Sequence, residues 1–351
     1  MSYQKRLRDY GIKIGILETG TSNSITDVEG ITVGHTTISN GPIQTGVTAI
    51  IPHRGNIFLD KIIGATHVIN GFGKTIGTIQ IEELGIIESP ILLTNTLSIG
   101  VCTDALLKYM IKENTAIGRT TGTINPVVCE CNDMFLNDIR SFAVTEEHVL
   151  SAISNASTIV EEGGVGAGTG MKCFGLKGGI GTSSRIINIH NQTYTLGVLV
   201  LSNFGKLSDF QLQGRPLGQK LEKIIPHQSE KDKGSIIIIV ATDLPVSDRQ
   251  LKRIIKRASI GLSKTGSYIG NGSGDIAIGF STANKIPHYS TGRLNTISQL
   301  PEDEMDQAFV AVADATEEAI INSLITANTT VGRDNNVLYS LKDYIDMNFS
   351  F

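Results

Sequence analysis

The chain contains no tryptophan, its aromatic residues make up only 5% of 351 positions, and it has nine prolines and four cysteines. Scarce proline and the lack of any repeat exclude a collagen-like or low-complexity chain. Cys102, Cys129, Cys131 and Cys173 are too few and too unevenly spaced to staple a chain of this length with disulfides. Cys129-x-Cys131 lacks the second pair, or the nearby histidine, that a zinc site would need. No apolar run approaches the roughly 18 residues of a membrane span. Neither sign of charge dominates: 30 Lys and Arg face 34 Asp and Glu, for a net charge of −4. That balance offers no electrostatic reason to bind nucleic acid or an anionic membrane, and a small-molecule or peptide substrate fits better. The opening Met-Ser-Tyr-Gln-Lys-Arg is charged but has no apolar stretch behind it, so the expectation is a cytoplasmic protein. None of the seven histidines stands in H-E-x-x-H, and no serine stands in G-x-S-x-G. No cofactor is called for.

What the chain does have is glycine, 38 residues of it. The densest run is Gly163-Gly164-Val165-Gly166-Ala167-Gly168-Thr169-Gly170, followed by Lys177-Gly178-Gly179-Ile180-Gly181. A dinucleotide fingerprint needs strand, glycine turn and helix in that order, whereas this run follows a helical pattern and leads into a strand. It lacks the Gly-Lys-Ser/Thr ending of a phosphate loop as well. The glycines therefore read as backbone passing close to something else.

Along the chain, residues 27–38, 46–52, 90–96, 183–190 and 194–202 have the branched, apolar character of strands. A helical period begins at Thr145 and keeps its spacing up to Glu162. Residues 205–234 read as a polar, accessible connection ending in Glu230-Lys231-Asp232-Lys233. The most apolar strand, from Ile236 to Asp243, follows at once. Ser247 and Gln250 then form an S-x-x-Q capping box for a helix whose buried stripe is Leu251, Ile254, Ile255 and Ala258. A strand at 275–281 and a helix at 303–325 complete the pattern. Strands and helices mixed in this order predict sheets sandwiched together and covered by helices, an α/β (α+β) fold, rather than a doubly wound parallel sheet.

Gly234-Ser235 stands at the mouth of that apolar strand. Such a pair ordinarily just ends a loop. If the bond between the two residues breaks, however, Ser235 gains a free α-amine with a pKa of roughly 7.7 to 8.0, a base beside its own hydroxyl. Glycine suits the preceding position because it leaves the carbonyl uncrowded. Asn271-Gly272-Ser273-Gly274-Asp275 opens the next strand, and a parallel neighbour would bring Ser273 and Asp275 to the same sheet end, where they could orient the amine. Read alone, the same residues make an ordinary turn. Asn203 closes the strand 194–202, and its carboxamide is either an oxyanion donor or a simple strand end.

These segments, with Gly30-Ile31-Thr32-Val33-Gly34-His35, Thr45-Gly46-Val47-Thr48, Leu93-Thr94-Asn95-Thr96, Leu136-Asn137-Asp138-Ile139 and Lys177 to Arg185, run in order through nearly the whole chain. Together they resemble the DmpA-type aminopeptidases, the L-aminopeptidase/D-esterases and β-peptidyl aminopeptidases. The resemblance implies a four-layer αββα sandwich of the N-terminal-nucleophile kind. It also implies one catalytic domain over 1–351, self-cleaved into 1–234 and 235–351 and assembled into homo-oligomers. It places the nucleophile on Ser235, the oxyanion asparagine on Asn203 and the supporting serine and acid on Ser273 and Asp275.

Two positions depart from the pattern. Asn132 stands where some members have a tyrosine, and Lys74 where an acid often follows Asn-Gly-x-Gly. Glu130 and Asp133 are the acids considered for substrate ammonium. Two alternatives remain at this point: an acyltransferase of the ornithine acetyltransferase type, and an inactive binding or assembly relative.

Overall fold

The run Ile236-Ile237-Ile238-Ile239-Val240 is apolar on both faces, so its strand must lie in a sheet covered on both sides. In the structure, a computed structural model that describes residues 4–225 and 234–345, it does. Ile236, Ile238 and Val240 join one core cluster, and Ile237, Ile239 and Ala241 join the other.

The first half of the chain carries β1 (Thr32–Asn40), β2 (Ile43–Ile51), β3 (Asp60–Gly71), α1 (Thr78–Leu84), β4 (Ile86–Ile87), β5 (Ile91–Asn95), α2 (Ile99–Glu113), β6 (Val127–Cys131) and α3 (Glu146–Ser154). The hairpin of β7 (Lys172–Cys173) and β8 (Leu176–Lys177) then leads into β9 (Gly179–Ile189) and β10 (Gln192–Asn203). Next come α4 (Leu217–Leu221), β11 (Ser235–Thr242), α5 (Asp248–Ile255), α6 (Ala258–Lys264), β12 (Gly274–Pro287) and α7 (Asp306–Ile325). A last hairpin of β13 (Thr330–Val331) and β14 (Val337–Leu338) precedes α8 (Lys342–Ile345).

One sheet has the order β1-β2-β5-β6 and the other β4-β3-β12-β11-β10-β9. Their facing sides bury Val33, Val47, Leu92, Leu199, Ile237 and Ile278 in one cluster. Helices α2 and α3 cover the smaller sheet, while α5 and α7 cover the larger and α6 packs against α7. The architecture is the αββα sandwich. Glycines set how closely the layers approach: a Cβ at Gly181 would lie 2.0 Å from the Ala319 carbonyl of α7, and one at Gly34 2.1 Å from the Ala152 carbonyl of α3.

Several boundaries differ from those read in the sequence, and the helix read from Ser247 through Ala258 divides into α5, ending at Ile255, and α6, beginning at Ala258. The helix from Thr145 stops at Ser154 rather than Glu162, because Ser157 exchanges backbone hydrogen bonds of 2.9 and 3.0 Å with Val33. Glu162 is instead buried and paired with Arg6 at 2.5 Å. The first strand begins at Thr32, since the Asp27 carboxylate accepts from the amides of Ser22 and Ser24 and turns the chain there. Residues 205–225 are no exposed connection: Leu207, Phe210, Leu212, Leu217, Leu221 and Ile225 are core residues. Glu230 to Lys233 lie outside the described residues.

Candidate active site

The larger sheet brings the singled-out residues together by register. β10 and β11 run antiparallel with Asn203 opposite Ser235, and β11 and β12 run parallel with Ser235 opposite Gly274. Ser235 therefore lies between the end of one neighbouring strand and the start of the other. Asn203, Ser235, Ser273 and Asp275 are all buried, none more than 6% exposed.

The Asn203 carboxamide has a single orientation that satisfies its neighbours. Its Oδ1 accepts from the Lys172 backbone N–H at 2.8 Å, so its Nδ2 is left to donate to the Asn132 carbonyl at 3.0 Å and to Ser235 Oγ at 3.4 Å. Ser273 Oγ donates to Asp275 Oδ1 at 2.6 Å, a short bond typical of a hydroxyl on a carboxylate. The loop holding Ser273 is gathered by Asn70, whose Nδ2 donates to the carbonyls of Gly270, Asn271 and Ser273.

Gly234 is held as closely as its neighbour. A Cβ there would lie 2.3 Å from the Phe204 Cα and 2.4 Å from the Asn203 carbonyl, so no side chain fits. Its carbonyl accepts from the Gly274 N–H at 3.2 Å. The carbonyl that the Ser235 hydroxyl would attack thus has a backbone donor on its oxygen. Gly274 is itself confined, since a Cβ would lie 2.8 Å from the Phe72 carbonyl.

The four residues considered for substrate binding are placed differently from one another. Glu130, in β6, lies under the loop after β3: its Oε1 accepts from the Lys74 N–H at 2.9 Å, its Oε2 from the Thr96 hydroxyl, and a Cβ at Gly73 would be 3.7 Å from it. Lys74 is exposed with its Nζ 4.8 Å over the Phe72 ring. Asn132 is exposed too, its Oδ1 accepting from the Met134 N–H at 3.0 Å. Asp133 is wholly buried and accepts from Asn137 Nδ2 at 3.0 Å. Burial pushes its carboxyl up to about 7.

Cys131 was weighed in the sequence only as half of Cys129-x-Cys131, a metal pairing without further ligands, and not as a neighbour of Ser235. Its Sγ donates to the Leu201 carbonyl at 3.5 Å, and the Ser235 side chain is among the groups that act on the thiol. Burial pushes this thiol well above its usual range, which leaves it a neutral packing group. Asn70 was the other residue missed, although it heads the Asn-Gly-x-Gly segment at the end of β3. Among the described residues no cluster of histidine, cysteine or acid is placed to hold a metal ion.

The model of peptidase family S58 matches residues 23–338. The chain belongs to peptidase family S58. It is a peptidase hydrolase, similar over 93% of its length, at 38% identity, to the β-peptidyl aminopeptidase BapA of Sphingosinicella microcystinivorans, of which it covers 87%. A solved protein of Pyrococcus horikoshii superposes with a TM-score of 0.94 at 50% identity, covering 97% of both chains. The L-aminopeptidase D-Ala-esterase/amidase of Ochrobactrum anthropi superposes with a TM-score of 0.88 at 36% identity, covering 96% of this chain and 95% of its own. That enzyme is described as a prototype of the serine aminopeptidases and a variant of the Ntn hydrolase fold. This S58 member shares the sandwich, and no helix among its described residues is long and apolar enough to cross a membrane.

Proposed function

We propose that the chain is a self-processing N-terminal-serine aminopeptidase, releasing the first residue of short peptides, amides or esters through an acyl-enzyme on Ser235. The observation that carries this reading is the Gly234 carbonyl, held by the Gly274 N–H at 3.2 Å beside the Ser235 hydroxyl. Attack of Ser235 Oγ on that carbonyl puts negative charge on an oxygen that already has a donor. Collapse breaks the C–N bond, the nitrogen takes the proton the hydroxyl lost, and an ester joins Gly234 to Ser235. Water hydrolyses the ester, leaving a Gly234 carboxylate and a Ser235 with a free amine.

The ester is an acyl-enzyme in all but name, so the same groups serve turnover. The Ser235 amine accepts the hydroxyl proton as Oγ attacks the substrate carbonyl, then returns it to the departing amine or alcohol. Asn203 Nδ2 and the Gly274 N–H face the oxyanion. Ser273 and Asp275, bonded to each other one strand away, orient the amine.

Glu130 lies beneath the loop that would border the substrate, which supports it as the anchor for the substrate's ammonium; Asp133, wholly buried, acts behind the site. Lys74 at the rim disfavours a nearby ammonium and moves preference towards other acyl groups. The active form is one catalytic unit made of 1–234 and 235–351. It works as a homo-oligomer in the cytoplasm, in keeping with four buried cysteines that form no disulfide. The named aminopeptidase relatives support hydrolysis over acetyl transfer, and the complete set of donors around Ser235 supports activity over a binding role.

The test is direct. The purified full chain should split before Ser235, Ser235→Ala should stay whole, and only the split protein should hydrolyse amino-acid p-nitroanilides.

A further inference from the structure

Lys177 is an unusual residue to find where it is: an ammonium with no solvent exposure, sealed inside the glycine-rich segment. Its Nζ donates to three backbone carbonyls, Gly178 at 2.7 Å, Gly168 at 2.8 Å and Met171 at 3.2 Å. Three acceptors match the three protons of an ammonium, whereas a neutral amine has only two to give. The glycines make room for it, since a Cβ at Gly164 would lie 3.4 Å from both Cε and Nζ. The nearby Asp133 carboxyl favours the charged form, against the burial that draws the amine down to about 7. Burying such a group is costly.

One of the three bonds leads to the site. The Met171 carbonyl that accepts from Lys177 belongs to the same peptide unit as the Lys172 N–H, and that N–H donates to Asn203 Oδ1 at 2.8 Å. The carbonyl is held a second time by the Gly178 N–H at 3.0 Å. The chain of donors is therefore continuous, from the Lys177 ammonium through the Met171-Lys172 peptide and the Asn203 carboxamide to Ser235 Oγ.

We propose that Lys177 is a positioning residue for acyl transfer, fixing and polarising the Asn203 carboxamide through the Met171-Lys172 peptide. No proton moves along this chain. A cation on a peptide oxygen strengthens what the same peptide's N–H donates, and a stronger donor on Asn203 Oδ1 strengthens what Nδ2 donates to a developing oxyanion. The effect belongs to the transition state, where the oxyanion exists, and not to substrate binding. The inference rests on Ser235 and Asn203 acting as proposed above, and the experiment separates the two.

Lys177→Met keeps length and removes all three donors; Lys177→Gln returns an amide donor. Each is made in the full chain, alone and with Asn203→Ala, and read by the rate of self-cleavage and, after cleavage, by kcat and KM on an amino-acid p-nitroanilide. Asn203→Ala alone is expected to cost roughly 10²–10³ in kcat. Lys177→Met is expected to lower both the cleavage rate and kcat by about tenfold, with KM within about twofold, and Lys177→Gln to fall between. Neither should lower the residual rates of Asn203→Ala further. Losses that multiply with Asn203→Ala, or that appear in KM alone, overturn the relay. Should Lys177→Met lose its cooperative melting transition, Lys177→Gln carries the comparison, and wild-type rates there likewise overturn it. An Asn203→Ala enzyme with full activity, or a wild-type chain that neither cleaves nor hydrolyses, defeats the functional reading itself and the relay with it.

Discussion

Among single residues, the sharpest contrast is between positions that announce themselves and those that act only through neighbours. Ser235 is visible in the sequence because glycine precedes it and an apolar run follows, and Ser273 and Asp275 because they open another strand. Lys177 and Cys131 do not stand out there: the first acquires meaning through the Met171-Lys172 peptide, whose N–H reaches Asn203, and the second through its bond to the Leu201 carbonyl. Lys74 can be tested by charge alone. If it disfavours an ammonium at the rim, Lys74→Glu should raise kcat/KM for amino-acid amides by roughly threefold to tenfold, an exposed-charge effect that added salt shrinks. An unchanged or lowered ratio would remove Lys74 from the substrate's surroundings.

His35 supplies a second residue-scale prediction. Its Nδ1 lies 2.9 Å from Thr48 Oγ1, and burial holds its imidazole down at about 4 from an ordinary 6.5. The folded state thus prefers the neutral ring. Its contribution is fully present above pH 6.5 and is lost as pH falls from 6.5 through 4, amounting to at most about 3 kcal/mol. Denaturant unfolding at pH 7 and pH 4.5 should show a smaller loss for His35→Gln than for the wild type. Equal losses would mean that His35 is not the group responsible.

For elements, alternation was the legible signal and element ends were not. The two faces of β11 and the capping box of α5 follow directly from residue order, with the Ser247 hydroxyl accepting from the Gln250 N–H. The end of α3 does not: its apolar period continues, but the pairing of Ser157 with Val33, more than a hundred residues away, ends the helix. The segment 205–225 misled for the same reason, since its spaced apolar residues find their partners in distant layers while its polar ones stay exposed. Glycine sets the spacing between those layers. Gly181→Ala would drive a methyl to 2.0 Å from the α7 backbone and should destabilise the fold by about 3 kcal/mol, read as a lowered denaturation midpoint. Ala at Gly118, where a Cβ meets nothing within 4 Å, is the control for added volume, although its positive φ of 69° carries its own small cost.

Across the whole molecule, the sandwich explains why the site lies where it does. Two strands that are parallel neighbours, joined by the helices α5 and α6, start at one end of the larger sheet, and the antiparallel β10 finishes there. Ser235, Gly274 and Asn203 converge because of that topology; the sequence allowed the two parallel strands to be neighbours but left Asn203 open as a simple strand end. The orientation of Asn203, the donor on the Gly234 carbonyl and the buried lysine behind them needed the register. The most direct measurement is the intact mass and N-terminal sequence of the purified full-length protein after prolonged incubation. The account predicts two chains, 1–234 and 235–351, the second beginning at Ser235, and one uncut chain for Ser235→Ala. A wild-type protein that stays whole at 37.6 kDa, or cleavage that survives Ser235→Ala, would contradict it.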